Sequence, residues 1–287
     1  MFAYRIARFA IAFLFCLESQ MISHAGSVSL NPMADTTITQ KSSPPPNTQL
    51  LVGTTGSSGG SASSRSLLKF DIAGNIPSNA IVTSVALTVT VAKVPPTPVN
   101  SLFDLRAVLF AWNESDTTWT NRLAATPWST PGGAGGVDFS SNISQTNFFG
   151  STTGLYTFVS NPNLVADVQN WLQNPGANFG WVAISESQGV NFTERTINSR
   201  EVLAGAPTLL IQFAIPPTIT LFSPTNNIFQ FSFNAESNRT YTVQYTGDLL
   251  NTNWSVLTNF SAAPTLTNFV VSDPFTSSNR FYRVQTP

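Results

Sequence analysis

Acid–base or nucleophilic catalysis needs a histidine, a thiol or two carboxylates at a useful spacing, and this sequence is thin in all three. Its only cysteine, Cys16, and its only histidine, His24, lie within the first 25 residues. The rest of the chain has no thiol nucleophile, imidazole base, disulfide or His/Cys metal ligand. That excludes Ser-His-Asp and Cys-His catalysis and the usual zinc sites. Glycosidases need only two carboxylates, but Glu114 and Asp116 are close neighbours, while Glu186, Glu194 and Glu201 are scattered over later segments. Tyr156 is the only tyrosine between the leader and residue 215, so a lyase has little to work with. The residue types therefore point to binding rather than to an enzyme. Trp112, Trp119 and Trp128 are the side chains that could stack on a sugar ring, because an aromatic face is an apolar platform. Trp112 and Trp119 bracket an acidic, hydroxyl-rich stretch and read in the first place as pins for a strand and loop. Trp128, beside Pro127 in a loop, is the freest of the three.

The first residues have the order of an export signal. Arg5 and Arg8 precede the short apolar run Phe9 to Leu17, and Ser23-His24-Ala25 supplies small residues at the two positions that a signal peptidase reads. The expectation is a signal peptide over 1–25 and a secreted or cell-surface product. The apolar run is too short to span a bilayer, and no later segment is long enough. Removing Arg5, Arg8 and Glu18 from 13 basic and 14 acidic residues leaves a net charge of −2. With charged residues at 9%, there is no electrostatic footprint for nucleic acid or anionic lipid.

The elements that must position these residues are mostly strands. In Ile81 to Val91, large apolar side chains alternate with small or hydroxylated ones, the period-two pattern of a half-buried strand. Further strands are expected at 68–72, 103–110, 155–159, 179–185 and 208–214. One segment has a different period. Leu164, Val165, Val168, Trp171 and Leu172 make a single helical stripe, opened by Asn161-Pro162 and closed by Asn174-Pro175-Gly176. Trp171 and Trp181 both read as core. The stretch 41–64, rich in Ser, Gly, Pro and Thr, reads as a long surface loop. Ile215-Pro216-Pro217 reads as a stiff hinge over 215–217. Five short strand-like runs follow it, which suggests a small fibronectin-like sandwich over 218–287.

Several stretches taken together resemble a known family. They are Ala34-Asp35-Thr36-Thr37-Ile38, Arg65-Ser66-Leu67-Leu68-Lys69-Phe70-Asp71-Ile72, Trp112-Asn113-Glu114-Ser115-Asp116-Thr117-Thr118-Trp119, Val168-Gln169-Asn170-Trp171, Asn178-Phe179-Gly180-Trp181 and Ser199-Arg200-Glu201. In this order they resemble the DNRLRE domain, which is similar to carbohydrate-binding module family 96. The resemblance implies an all-β fold: a jelly-roll β-sandwich over 26–214 with one short helix, followed by the smaller sandwich. It also implies a secreted, non-catalytic protein whose partner is a polysaccharide or cell-surface glycan, with acidic polymers such as alginate bound by characterised relatives. The alternative is a structural cell-surface or matrix module without a small ligand. The tail, with Thr240 to Tyr245 and Arg280-Phe281-Tyr282-Arg283, resembles a C-terminal accessory sandwich of exported bacterial proteins.

Within these stretches Arg65, Lys69 and Arg200 are the expected contacts to a uronate carboxylate, the arginines as bidentate forks and the lysine as a point charge. The competing expectation pairs Arg65 or Arg200 with Asp71 or Glu201. Trp128 completes the candidate ligand-binding set. No catalytic cofactor is expected. Jelly-roll sugar binders often hold a structural calcium ion, for which Asp35, Asp71 and Asp138 are the candidate ligands.

Overall fold

The structure, a computed structural model, describes residues 24–216, 218–221, 228–250, 253–274 and 280–285. The expected signal peptide and Pro217 of the expected hinge lie outside the described residues. Contacts divide the chain into two compact units, one spanning Gly26–Phe213 and one that includes Ala214–Pro287.

The larger unit is built from β1 (His24–Leu30), β2 (Ala34–Thr39), β3 (Gln49–Thr54), β4 (Ser63–Lys69), β5 (Ile81–Lys93), β6 (Ser101–Ala107), β7 (Asn121–Leu123), β8 (Thr126–Pro127), β9 (Gln145–Phe149), β10 (Gly154–Phe158), β11 (Trp181–Ser185), β12 (Arg195–Asn198) and β13 (Thr208–Ile215). A continuous ribbon runs β1-β13-β5-β12-β3-β4-β11-β6-β9, with β10 added on β5 and β2 on β4. It becomes a sandwich at β3. Residues 49–52 of this strand pair with β12, whereas Gly53 and Thr54 pair with β4. Gly53 has φ +106°, and a Cβ there would lie 2.6 Å from the Thr193 carbonyl oxygen. Only glycine lets the strand change layers at that point.

The long β5 shows the alternation read from its sequence from Val85 onward, with Val85, Leu87, Val89 and Val91 buried, whereas at its start Val82 is buried and Ile81 is exposed. The α-helix α1 (Pro162–Gln173) is capped by the Asn161 side chain, which accepts from the Leu164 amide, and it buries Leu164, Val168, Trp171 and Leu172. Trp171 packs on Trp181 with ring centroids 4.5 Å apart, and the Trp181 indole N–H donates to Asp167. Both tryptophans are core. One expectation changes: 41–64 is not one long loop. Leu50, Leu51 and Val52 are buried within it as the middle of β3, because a short apolar run suffices for a strand when both faces are covered.

The smaller unit holds β14 (Ile219–Leu221), β15 (Ile228–Ala235), β16 (Tyr241–Thr246), β17 (Ser255–Phe260), β18 (Thr267–Pro274) and β19 (Phe281–Gln285). They form two three-stranded sheets, β14-β15-β18 and β17-β16-β19. Their core is dominated by rings: Phe229, Phe231, Phe233, Tyr241 and Tyr282, with Phe260 and Phe269 packed against them. The chain as a whole is mostly β with a single α-helix among the described residues.

Candidate functional site

The outer face of the layer β2-β4-β11-β6-β9 positions most of the side chains singled out above. Between Val108 and Ser144 the chain leaves this layer and folds back over it. Trp128 and Phe139 from this excursion, together with Val108, cover Ile38, Leu67 and Val182, with Trp112, Trp119, Phe179 and Ile184 packed around them. Trp128 is only 3% exposed, and its indole N–H donates to the Thr118 carbonyl. The ring therefore has no free face for a sugar; the loop beside Pro127 is folded inward because its apolar side chain finds a second core. Trp112 likewise donates to the Phe179 carbonyl.

Arg65 stands on the same face and clamps the excursion. Its Nη1 donates to the Gly132 and Gly133 carbonyls at 2.6 and 2.9 Å, and its Nε donates to Gln188 Oε1 at 2.9 Å. The guanidinium lies 5.5 Å from the centre of the Trp119 ring. No carboxylate pairs with it among the described residues. Burial, followed by the nearby positive charge of Arg106, lowers its pKa to about 10. It still carries its charge at neutral pH, with Nη1 used on backbone and Nε on Gln188. The expected pairing of Arg65 with Asp71 does not form. Asp71 is exposed and caps its own turn through Gly74 N–H. Lys69 is half-buried and has no ion-pair partner among the described residues.

Arg200 belongs to a different place. Its Nη2 lies 3.3 Å from Glu114, and its Nε lies 3.1 Å from Glu201, an ion-pair contact without hydrogen-bond alignment. Its backbone N–H donates to Asp35 Oδ2 at 2.8 Å. Asp35, Glu114 and Glu201 each bring a carboxylate oxygen within 4.8 Å of the others. Asp35 is 3% exposed, and its pKa is raised to about 7, first by burial and then by the charges of Glu201 and Glu114, against the lowering effect of the Arg200 N–H. One guanidinium thus faces three carboxylates, and a proton on Asp35 relieves the excess.

Three carboxylates form the kind of hard oxygen set that holds Ca²⁺. Arg200, however, already stands beside Glu114 and Glu201 and supplies part of the compensating charge. Of the three calcium ligands expected from sequence, only Asp35 is in this cluster. The Asp138 carboxylate is taken up by the Ser129 and Ala134 backbone N–H groups and the Ser129 hydroxyl, which fold the excursion. Glu114 and Glu201, 87 positions apart in the chain, carried no sequence signal that they meet.

Asp35 and Glu114 also line a cleft of about 420 Å³ at the edge of the sandwich where β2 and β3 diverge. Its walls are Thr36 and Thr37 of β2, the Pro44-Pro45-Pro46-Asn47 loop, Gln49 and Leu50 of β3, and the turn Asn113–Ser115. The three prolines make a stiff wall, and Asn113 fixes the turn by accepting from the Ser115 N–H and hydroxyl. Amides, hydroxyls and carboxylates in a cleft of this size are the groups that exchange hydrogen bonds with sugar hydroxyls.

Residues 26–130 match a family model described as carbohydrate-binding module family 96. All the residues lining the cleft fall inside this stretch, as do Arg65, Lys69 and Trp128. Among curated proteins, none matches the chain. Over residues 26–130 the chain is similar to a carbohydrate-binding module of family 96.

Proposed function

We propose that this is an exported, non-catalytic carbohydrate-binding protein that holds a polysaccharide in the cleft between β2, β3 and the Asn113–Ser115 turn. One observation carries the reading: the stretch similar to a carbohydrate-binding module contains every residue that lines the cleft. Export is supported by the charge, apolar run and small-residue site of the first 25 residues. It fits that no helix among the described residues is long and apolar enough to cross a membrane.

An acidic polymer, alginate in particular, is the specific form of the proposal. Lys69, which has no ion-pair partner among the described residues, and the partly exposed Arg200 are the cations that would meet the polymer. Arg200 would exchange its pairing with Glu114 and Glu201 for a uronate. Arg65 is engaged inside the fold by the Gly132-Gly133 carbonyls and Gln188. The test is affinity electrophoresis of the chain in gels containing alginate, pectin or a neutral glycan. Retardation is expected with alginate, reduced by Arg200→Ala. Mobility that no polymer changes would sink the carbohydrate reading. Retardation by neutral glycans alone would overturn its acidic form.

A further inference from the structure

The excursion from Val108 to Ser144 covers only part of the outer face of its layer. At the β6-β9 edge, Leu102 sits directly opposite Phe148, and both side chains point outward at 41% and 53% exposure. Their chain neighbours Phe103 and Phe149 are buried on the other face and stack at 4.6 Å. Alternation therefore commits Leu102 and Phe148 to solvent. Arg195 donates to the Phe149 and Gly150 carbonyls, which fixes the end of the strand that presents Phe148.

Polar groups border the pair. Glu186 donates its backbone N–H to the Leu102 carbonyl and stands exposed beside it. In the next row Asp104 faces Thr146 and accepts from its hydroxyl at 2.7 Å. Asp104 also accepts from Arg106 Nη2 at 2.9 Å, and Arg106 reaches on to the Ser141 carbonyl. The Asp104 and Arg106 side chains of this rim are thus held in place, and the Glu186 carboxylate, exposed beside Asp104, has its pKa raised by burial and by the neighbouring Asp104.

We infer that Phe148 and Leu102, rimmed by Glu186, form a stacking subsite for one ring of a neutral glycan. Two apolar side chains are far short of the roughly 800 Å² per partner of a stable protein interface. They match the apolar C–H face of a single pyranose, which packs on an aromatic ring as another apolar face does. The exposed Glu186 carboxylate accepts hydrogen bonds from sugar hydroxyls, and with Asp104 already neutralised by Arg106 it leaves the rim a net negative charge that disfavours a uronate, so charge selects the neutral class. Phe148 and Glu186 lie beyond residue 130, and this subsite is separate from the cleft. The inference rests on the carbohydrate reading of the molecule.

The experiment uses the full chain and titrates soluble xyloglucan, mannan, mixed-linkage β-glucan and alginate into wild type, Phe148→Ala, Phe148→Tyr and Glu186→Gln. Phe148→Ala is expected to bind the preferred neutral glycan roughly three- to tenfold more weakly, the range that loss of one ring contact supports. Phe148→Tyr should keep most of the affinity, and the response to alginate should not change. Phe148 is exposed, so circular dichroism of the alanine variant should match wild type. Neutral-glycan binding that survives Phe148→Ala, or wild-type binding to alginate alone, overturns the subsite. If no polymer binds at all, the carbohydrate reading itself has failed.

Discussion

The two sandwiches reach stability without disulfides by different means. The smaller one fills its interior with aromatic rings. Phe229 stacks on Tyr282 at 5.0 Å, and Phe260 stacks on Phe269 at 4.4 Å, with Phe233 between the clusters. Its buried carboxylate among the described residues, Asp273, is bonded by the Tyr282 hydroxyl and paired with Arg280. The larger sandwich admits polar groups throughout. Buried hydroxyls pair with each other, as Ser101 does with Ser185, or with backbone, as Ser66 does with Leu51. Arg195 is 0% exposed and donates to the carbonyls of Val99, Phe149, Gly150, Phe192, Thr193 and Glu194. Apolar packing is non-directional and holds a core together. Directional bonds place loops, and the larger unit is where a cleft and an open sheet face need placing.

The sharpest way to break this contrast is in the aromatic core. Phe231→Ala should cost about 4 kcal/mol, because it removes a fully buried ring from a small core. Hydrogen exchange across 228–285 should then rise sharply while 26–213 stays protected. Equal loss of protection in both units would show that they do not depend on separate cores. Arg195→Met should cost about 3 kcal/mol, since several carbonyls lose their donor together. Its effect should centre on the segments around 99, 150 and 193, and a uniform loss across the unit would contradict the placing role.

A third effect, read as a pH profile rather than at one pH, concerns Asp35. Its pKa rises from 3.8 to about 7 on folding. The folded state therefore binds a proton that the unfolded state has released, and stability falls as pH increases through that window. Asp35→Asn has no proton to lose and keeps an acceptor for the Arg200 N–H. Melting temperatures from pH 4 to 8 should decline less in the variant than in wild type. Parallel curves would show that Asp35 does not titrate there.

Much of the scaffold was legible because local patterns encode it. The alternation of 85–91, the capped stripe of α1 and the inward Trp171 and Trp181 follow from period and from turn chemistry. The candidate sites were less legible. Of the pairings expected for Arg65 and Arg200, one forms and one does not. Arg65 meets carbonyls of a glycine turn, and only Arg200 with Glu201 matches the competing ion pair. Trp128 was misplaced because exposure depends on what folds over a loop. Arg195, the most completely buried cation, had no signal at all, since its partners are backbone carbonyls that any residue could supply.

Composition and periodicity alone determined that the chain is built mostly of strands, without cysteine or histidine chemistry beyond its first 25 residues, because those properties depend on residue type and near neighbours. Only the tertiary structure decided which carboxylates meet, which tryptophan is covered and which phenylalanine faces water. Those outcomes depend on strand register and on the return of a distant segment over one sheet face, and neither leaves a local mark in the sequence.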